Sequence, residues 1–317
     1  MKFPPLLAIL AALCLSFAQA GCGGSGDDAS DAGSDSDSDS DSNSDSDSDS
    51  DSDGDSDSDS DTDSDSDSDG DCVPDTSISD SFSFFVMSLE KIQEWSQEQY
   101  GDTEGLGGNL GGLAGADAKC QEAAEAVGSC KQWHAFLSAT DDGSGSPANA
   151  IDRIGSGPWY NVDGLLMADD ATRLLNTRPD GATDAVYNDG AQNWPFNQCL
   201  TTELGNCTLE YGDSHDTLTS TDRNGQLYSN DAAYTCNDWT STDVAVQLSI
   251  GHSWPRQLNS TQPNSADWIY AHTNCEMGGG ASCNGCGRNI NLSDDNGQEG
   301  VGGAGGYGAW YCFAYAD

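Results

Sequence analysis

The sequence predicts an α+β domain of short strands, one or two helices and long loops tied by disulfides. Three observations carry this. Apolar and aromatic pieces are short and bounded by Ser, Asp and Gly, one Ala-rich segment has helix start and stop signals, and ten cysteines are spread over residues 72–317. Residues 82–87 (Phe-Ser-Phe-Phe-Val-Met) read as a first strand, and the spacing of Leu89, Ile92 and Trp95 predicts a short helix over 89–100. A glycine-rich stretch, 107–115, precedes the main predicted helix, 116–128, which has Asp117 in its first turn and Gly128 at its stop. Residues 133–138 and 159–162 are further strand candidates. Beyond them, apolar pieces at 227–228, 268–270 and 311–313 punctuate Gly/Asn/Asp/Ser loops. No internal repeat of fixed period is present.

The 317 residues carry 54 Asp+Glu against 10 Lys+Arg, a net charge of -44, which excludes a binder of duplex DNA or phosphate backbone. Of those acids, 21 lie in residues 27–71, where there is no Lys or Arg; residues 72–317 hold 33 acids and nine bases.

Lys2, the apolar run 6–17 and Ala18-Gln19-Ala20 have the layout of a secretory signal peptide over residues 1–20. At about a dozen residues the run is too short to span a bilayer. Two routes stay open: cleavage after Ala20, giving a secreted protein, or lipidation of Cys22 and display at the outer membrane or cell surface. Ala20-Gly21-Cys22 resembles the end of a bacterial lipobox, with Gln19 where Leu is usual. Residues 21–71 are then a stalk. From Ser34 to Asp69 the chain is nearly pure Ser-Asp alternation, with no apolar side chains to offset the entropy of ordering, so it is predicted to be disordered. Its charges lie about 7 Å apart, inside the Debye length, and stretch it. Such repeats resemble the stalks of some bacterial surface adhesins. The readings are a solvating spacer or weak multivalent calcium capture.

With Cys14 in the signal peptide and Cys22 the lipidation candidate, ten cysteines remain: Cys72, Cys120, Cys130, Cys199, Cys207, Cys236, Cys275, Cys283, Cys286 and Cys312. An even count in an exported chain favours disulfides, and the count alone leaves the connectivity open. The Cys283-Asn284-Gly285-Cys286 spacing has a second reading, a redox motif or half a zinc site completed by Cys275, His252 or His272.

A family resemblance rests on an ordered series of motifs. These are Gly108-Asn109-Leu110-Gly111-Gly112-Leu113-Ala114-Gly115-Ala116-Asp117-Ala118-Lys119-Cys120, then Trp133-His134-Ala135-Phe136-Leu137-Ser138, Ala150-Ile151-Asp152-Arg153-Ile154 and Tyr160-Asn161-Val162. Asp222-Arg223-Asn224-Gly225-Gln226-Leu227, Cys236-Asn237-Asp238-Trp239-Thr240-Ser241 and Trp310-Tyr311-Cys312-Phe313 follow. Together, over about residues 81–315, they resemble the endostatin-like domain at the C-terminus of collagens XV and XVIII, and bacterial surface lipoproteins of unknown function are similar over the same stretch. The resemblance implies a C-type lectin-like fold, a twisted antiparallel sheet with packed helices. It also implies the pairs Cys120–Cys312 and Cys236–Cys286, and in that branch it places Asn237 and Asp238 in a structural strand. Cys199 with Cys207, Cys275 with Cys283 and Cys72 with Cys130 complete the set by proximity and elimination. Heparin binding and zinc at N-terminal histidines are not carried over, because the domain is acidic and the first histidine is His134.

Asn237-Asp238 is similar to the pair with which calcium-dependent lectins hold calcium and sugar hydroxyls, so these two residues are the candidate ligand-binding site. A turn or strand role is the alternative. Calcium is the one cofactor the sequence raises, with Asp141-Asp142 and Asp294-Asp295 as further loop acids. His134, His215, His252 and His272 are scattered, and Pro255 spoils a nucleophile elbow at 251–255. HExxH, Walker A and GxGxxG patterns are missing. The sequence therefore points to a non-enzymatic recognition module at the cell surface that binds a glycan or extracellular protein through its loops. The rivals are an envelope-spacing protein without a specific ligand and a carbohydrate hydrolase.

Overall fold

The computed structural model describes residues 74–175, 179, 181, 202–205, 216–253, 268–273, 285–292, 300–303 and 305–315. The expected signal peptide, Cys22 and the stalk lie outside them, as do Cys72, Cys199, Cys207, Cys275 and Cys283.

Mixed α+β structure is observed. In chain order the main elements are β1 (Phe84–Val86), α1 (Leu89–Tyr100), α2 (Gly112–Ala126), β2 (Trp133–Ala135), β3 (Trp159–Tyr160), β4 (Leu166–Ala168), α3 (Ala171–Leu174), β5 (Asp216–Leu218), β6 (Ser249–His252), β7 (His272–Thr273) and β8 (Gly306–Ala314). Among the described residues six strands join one sheet in the order β1-β8-β5-β6-β7, with β2 also paired to β8; β3 and β4 form a separate pair. The sheet is not wholly antiparallel as expected, because β5 runs parallel to β8.

All nine residues of β8 are buried. A strand buried on both faces needs apolar or small side chains on both. Tyr311 and Phe313 meet Phe84, Phe136, Trp159 and Trp268, with ring centroids 4.6–6.3 Å apart. On the alternate positions, Trp310 stacks on Trp95 of α1, and Cys312 is bonded to Cys120 of α2. The buried positions of α2, Leu113, Ala116, Cys120, Ala123 and Ala124, follow helical spacing and are mostly small, which lets the helix lie close to the sheet.

Several expectations shift at their edges. The helix over 89–100 forms as read, with Ser88 capping Lys91 N and Gly101 left-handed at its end (φ 81). The second helix starts four residues before the predicted 116, inside the glycine-rich stretch. A side chain at Gly115 would come within 2.3 Å of the Leu110 carbonyl, so the closely packed first turn accepts glycine where propensity opposes it. Strand pairing covers only 84–86, 133–135 and 159–160 of the longer predicted strands. Cys236 is bonded to Cys286 and Cys130 is also in a disulfide. The redox or zinc reading of 283–286 is thereby corrected, since the Cys286 sulfur is already committed.

Ser88 also carries a buried acid. Its backbone N–H donates to Glu203 Oε2 at 3.2 Å and its hydroxyl donates to Oε1. Burial pushes the Glu203 carboxyl up to about 7 from 4.5, outweighing the two Ser88 donors, which favour the ionised form. The folded state therefore holds a proton between pH 4.5 and 7 that the unfolded chain has lost. The stability this group contributes is full below pH 4.5 and lost as pH rises through 7. Glu203→Gln should remove that slope. In urea titrations, the stability of E203Q relative to the unaltered chain is expected to rise by about 3 kcal/mol between pH 4.5 and 8.

Candidate functional site

Asn237 and Asp238 do not form a strand. They lie in a one-turn element, Cys236–Trp239, in which four successive residues are left-handed (φ 53, 53, 52 and 64). Such backbone costs about 1–2 kcal/mol per residue and persists only where its surroundings fix it. Here Cys236 is bonded to Cys286, and Trp239 is buried with Nε1–H donating to Ser138 O at 2.9 Å. The Asp238 carboxylate accepts from Thr140 N (2.6 Å), Thr140 Oγ1 (2.7 Å) and Thr235 Oγ1 (2.8 Å). Gly108 lies against this disulfide so closely that a Cβ would meet Cys236 Sγ at 2.3 Å. Asn237 is exposed and donates to Thr240 Oγ1. The pair thus serves as a turn that joins three segments, with the Asp238 carboxylate accepting three hydrogen bonds from Thr140 and Thr235.

The loop acids Asp141 and Asp142 bind their own loop. Asp141 accepts from Gly143 N and Gly145 N, and Asp142 from Ser144 N and Oγ, hydrogen bonds that hold the Asp142 carboxyl below its usual range. Asp294 and Asp295 lie outside the described residues.

Convergent polar groups occur instead around Tyr315, which follows β8 and is 48% exposed. On one side is a cleft of about 370 Å³ lined by Leu113, Ala114, Asp117, His134, Asp142, Arg153 and Tyr315. Asp117 holds it together: Oδ2 is 2.6 Å from Arg153 Nη2 and 3.1 Å from His134 Nδ1, and Oδ1 accepts from Ala135 N. Arg153 is fixed further by donating to the carbonyls of Ala135 and Leu137. On the other side of Tyr315 a cleft of about 250 Å³ is lined by Ser81, Ser83, Lys131, Pro158, Tyr160 and Ala314.

A second cluster is interior. Asp216 on β5 stands directly opposite His252 on β6, and His272 on β7 is opposite Ile250, two residues from His252 and so on the same sheet face. Asp216 Oδ1 is 3.6 Å from the Nε2 of each histidine, the two rings are 5.2 Å apart at 73°, and all three residues are at most 6% exposed. Carboxylate and imidazole are metal-ligating groups, and one ligand atom from each lies within 4.8 Å of the others.

No protein-family model matches the chain, and no match among curated proteins is significant. The sequence places His252 and His272 as possible partners of the Cys283–Cys286 pair, whereas the structure puts them beside Asp216. The available signal was the alternation Asp216/Leu218 and Ile250/His252, which puts acid and imidazole on single strand faces, but nothing in the sequence pairs those strands. No local signal links Asp117, Arg153 and Tyr315, because helix, 3-10 turn and strand end meet only in space.

Asp238→Ala should lower stability by about 2 kcal/mol in denaturant unfolding, because it removes an ionised acceptor of three hydrogen bonds and releases the strained turn. Added calcium is expected to change neither protein's unfolding midpoint.

Proposed function

We propose that the chain is an exported recognition module whose binding surface is the pair of clefts on either side of Tyr315. A half-exposed aromatic ring offers a flat apolar face, and the clefts beside it present Asp117, His134 and Arg153 on one side and Lys131 with Ser81 and Ser83 on the other. A sugar or a polar peptide segment has the matching chemistry, an apolar face rimmed by hydrogen-bonding groups. Arg153 and Asp117 are held by several hydrogen bonds each, so little ordering cost remains at binding. That observation carries the reading.

The disulfides support an oxidising destination, in keeping with the signal peptide, with Cys22 lipidation or secretion as its end. The order of secondary elements and the two disulfides are compatible with the C-type lectin-like, endostatin-like fold. In this reading the Ser-Asp stalk carries the head away from the envelope. Binding at the clefts is independent of calcium, since Asp238 is committed to its turn.

The test is a glycan and extracellular-protein array probed with the full chain, with Tyr315→Ala and with Arg153→Gln. Selective binding that Y315A weakens at least tenfold, at unchanged unfolding midpoint, is the expected result. Binding unaltered by either substitution would put the ligand elsewhere, and no selective binding would favour the envelope-spacer reading.

A further inference from the structure

We propose that Asp216 Oδ1, His252 Nε2 and His272 Nε2 bind a zinc ion that ties strands β5, β6 and β7 together. His272 Nδ1 is 3.1 Å from the carbonyl oxygen of Thr273, which only accepts, so Nδ1 carries the hydrogen and Nε2 of the neutral ring presents a lone pair. That lone pair faces a carboxylate oxygen, another acceptor, at 3.6 Å in a nearly water-free interior. Two acceptors placed so close in such an interior can share a cation, either a proton or a metal ion.

The distance separates the two. A proton shared between imidazole and carboxylate draws N and O to about 2.7–2.9 Å. Both N···O separations here are 3.6 Å, too long for such a bond. Ligand atoms around a tetrahedral ion at about 2.1 Å are about 3.4 Å apart, close to the two N···O separations of 3.6 Å, whereas neighbouring ligands of an octahedral ion are about 3.0 Å apart. The Nδ1–H···O=C contact of His272 is also the outer contact that orients a metal-bound imidazole. Two imidazoles disfavour calcium and magnesium, which take oxygen ligands, and the wide spacing disfavours octahedral iron(II), the other common holder of two histidines and a carboxylate.

The site has a structural task. Among the described residues β7 has two residues and pairs only with β6. Coordination through His272 would pin it to β5, two strands away. The cluster also lies about 30 Å by strand rise from Tyr315, at the opposite end of β8, since Asp216 is in register with Gly306. The ion therefore does not touch the proposed binding clefts, and this inference stands or falls separately from that reading.

The test uses the full chain, stripped by dialysis against a chelator and titrated with zinc chloride alone by calorimetry. One tight site per chain is expected, above any weak binding by the acidic stalk, and His252→Gln and His272→Gln should each weaken it by more than about 100-fold. Since either substitution can disturb folding, two measurements rest on the unaltered chain: zinc should slow amide exchange in residues 249–252 and 268–273, and cobalt(II) in its place should give the intense visible absorption of a tetrahedral site. Absence of a tight site in the unaltered chain, a tight site that survives both substitutions, an octahedral cobalt spectrum, or tighter binding of iron(II) than of zinc would each overturn the proposal.

Discussion

Burial of β8 on both faces is the constraint from which the described architecture follows. A nine-residue strand without a solvent face must be covered twice and paired along both edges, because every buried N–H and C=O needs a partner. The edges are met by β1 on one side and by β2 and β5 in succession on the other, and the faces by α1 with α2 and by the aromatic set around Phe313. The Cys120–Cys312 bond fixes the α2 layer to the strand, on a helix face whose buried residues are mostly small. The order of the chain puts this strand last, so segments far apart in sequence depend on its arrival.

Much of this was legible where a local rule matched the packing. The helix over 89–100 has a Ser cap, a Gly stop and a three-four spacing of apolar residues that all agree with its buried side, and the structure forms it over those residues. The buried aromatics were also readable, since Trp133, Trp159, Trp239, Trp268 and Trp310 are too large to leave in water in such numbers. What was not legible is pairing. β5, β6 and β7 are two to four residues each and contain Asp, Thr, Ser and His, so no local propensity marks them. Their existence depends on alignment beside β8, a long-range fact that no window of sequence contains.

The Asn237-Asp238 motif shows the same limit in a sharper form. As a residue pair it suits calcium, but ligand geometry needs oxygens that are unspent. The structure spends the carboxylate of Asp238 on Thr140 and Thr235, and the result is a left-handed turn that the Cys236–Cys286 bond and buried Trp239 hold in place. The strain of that turn is offset by three segments locked together at one point: the glycine-rich stretch through Gly108, the Thr140 loop and the Cys286 segment. A motif read from identity alone cannot distinguish a carboxylate that waits for a cation from one that already has its donors.

The two ends of β8 then differ in kind for a physical reason. At Gly306 the strand has no side chain, and β5 can approach with Asp216 directed into a dry interior, where a carboxylate is tolerated only in company with groups that share or offset its charge. At the other end the strand runs out into solvent at Tyr315, and the polar groups there, Asp117, His134, Arg153 and Lys131, line open clefts where a ligand can reach them. Polar groups in the first place can serve to hold strands together, because displacing them costs the desolvated charge. Those in the second can serve recognition, because they are held in place beside open clefts. The same strand thus divides the molecule into an end suited to cohesion and an end suited to contact, and a ligand at Tyr315 would be felt at Asp216 only through the rigidity of the sheet between them.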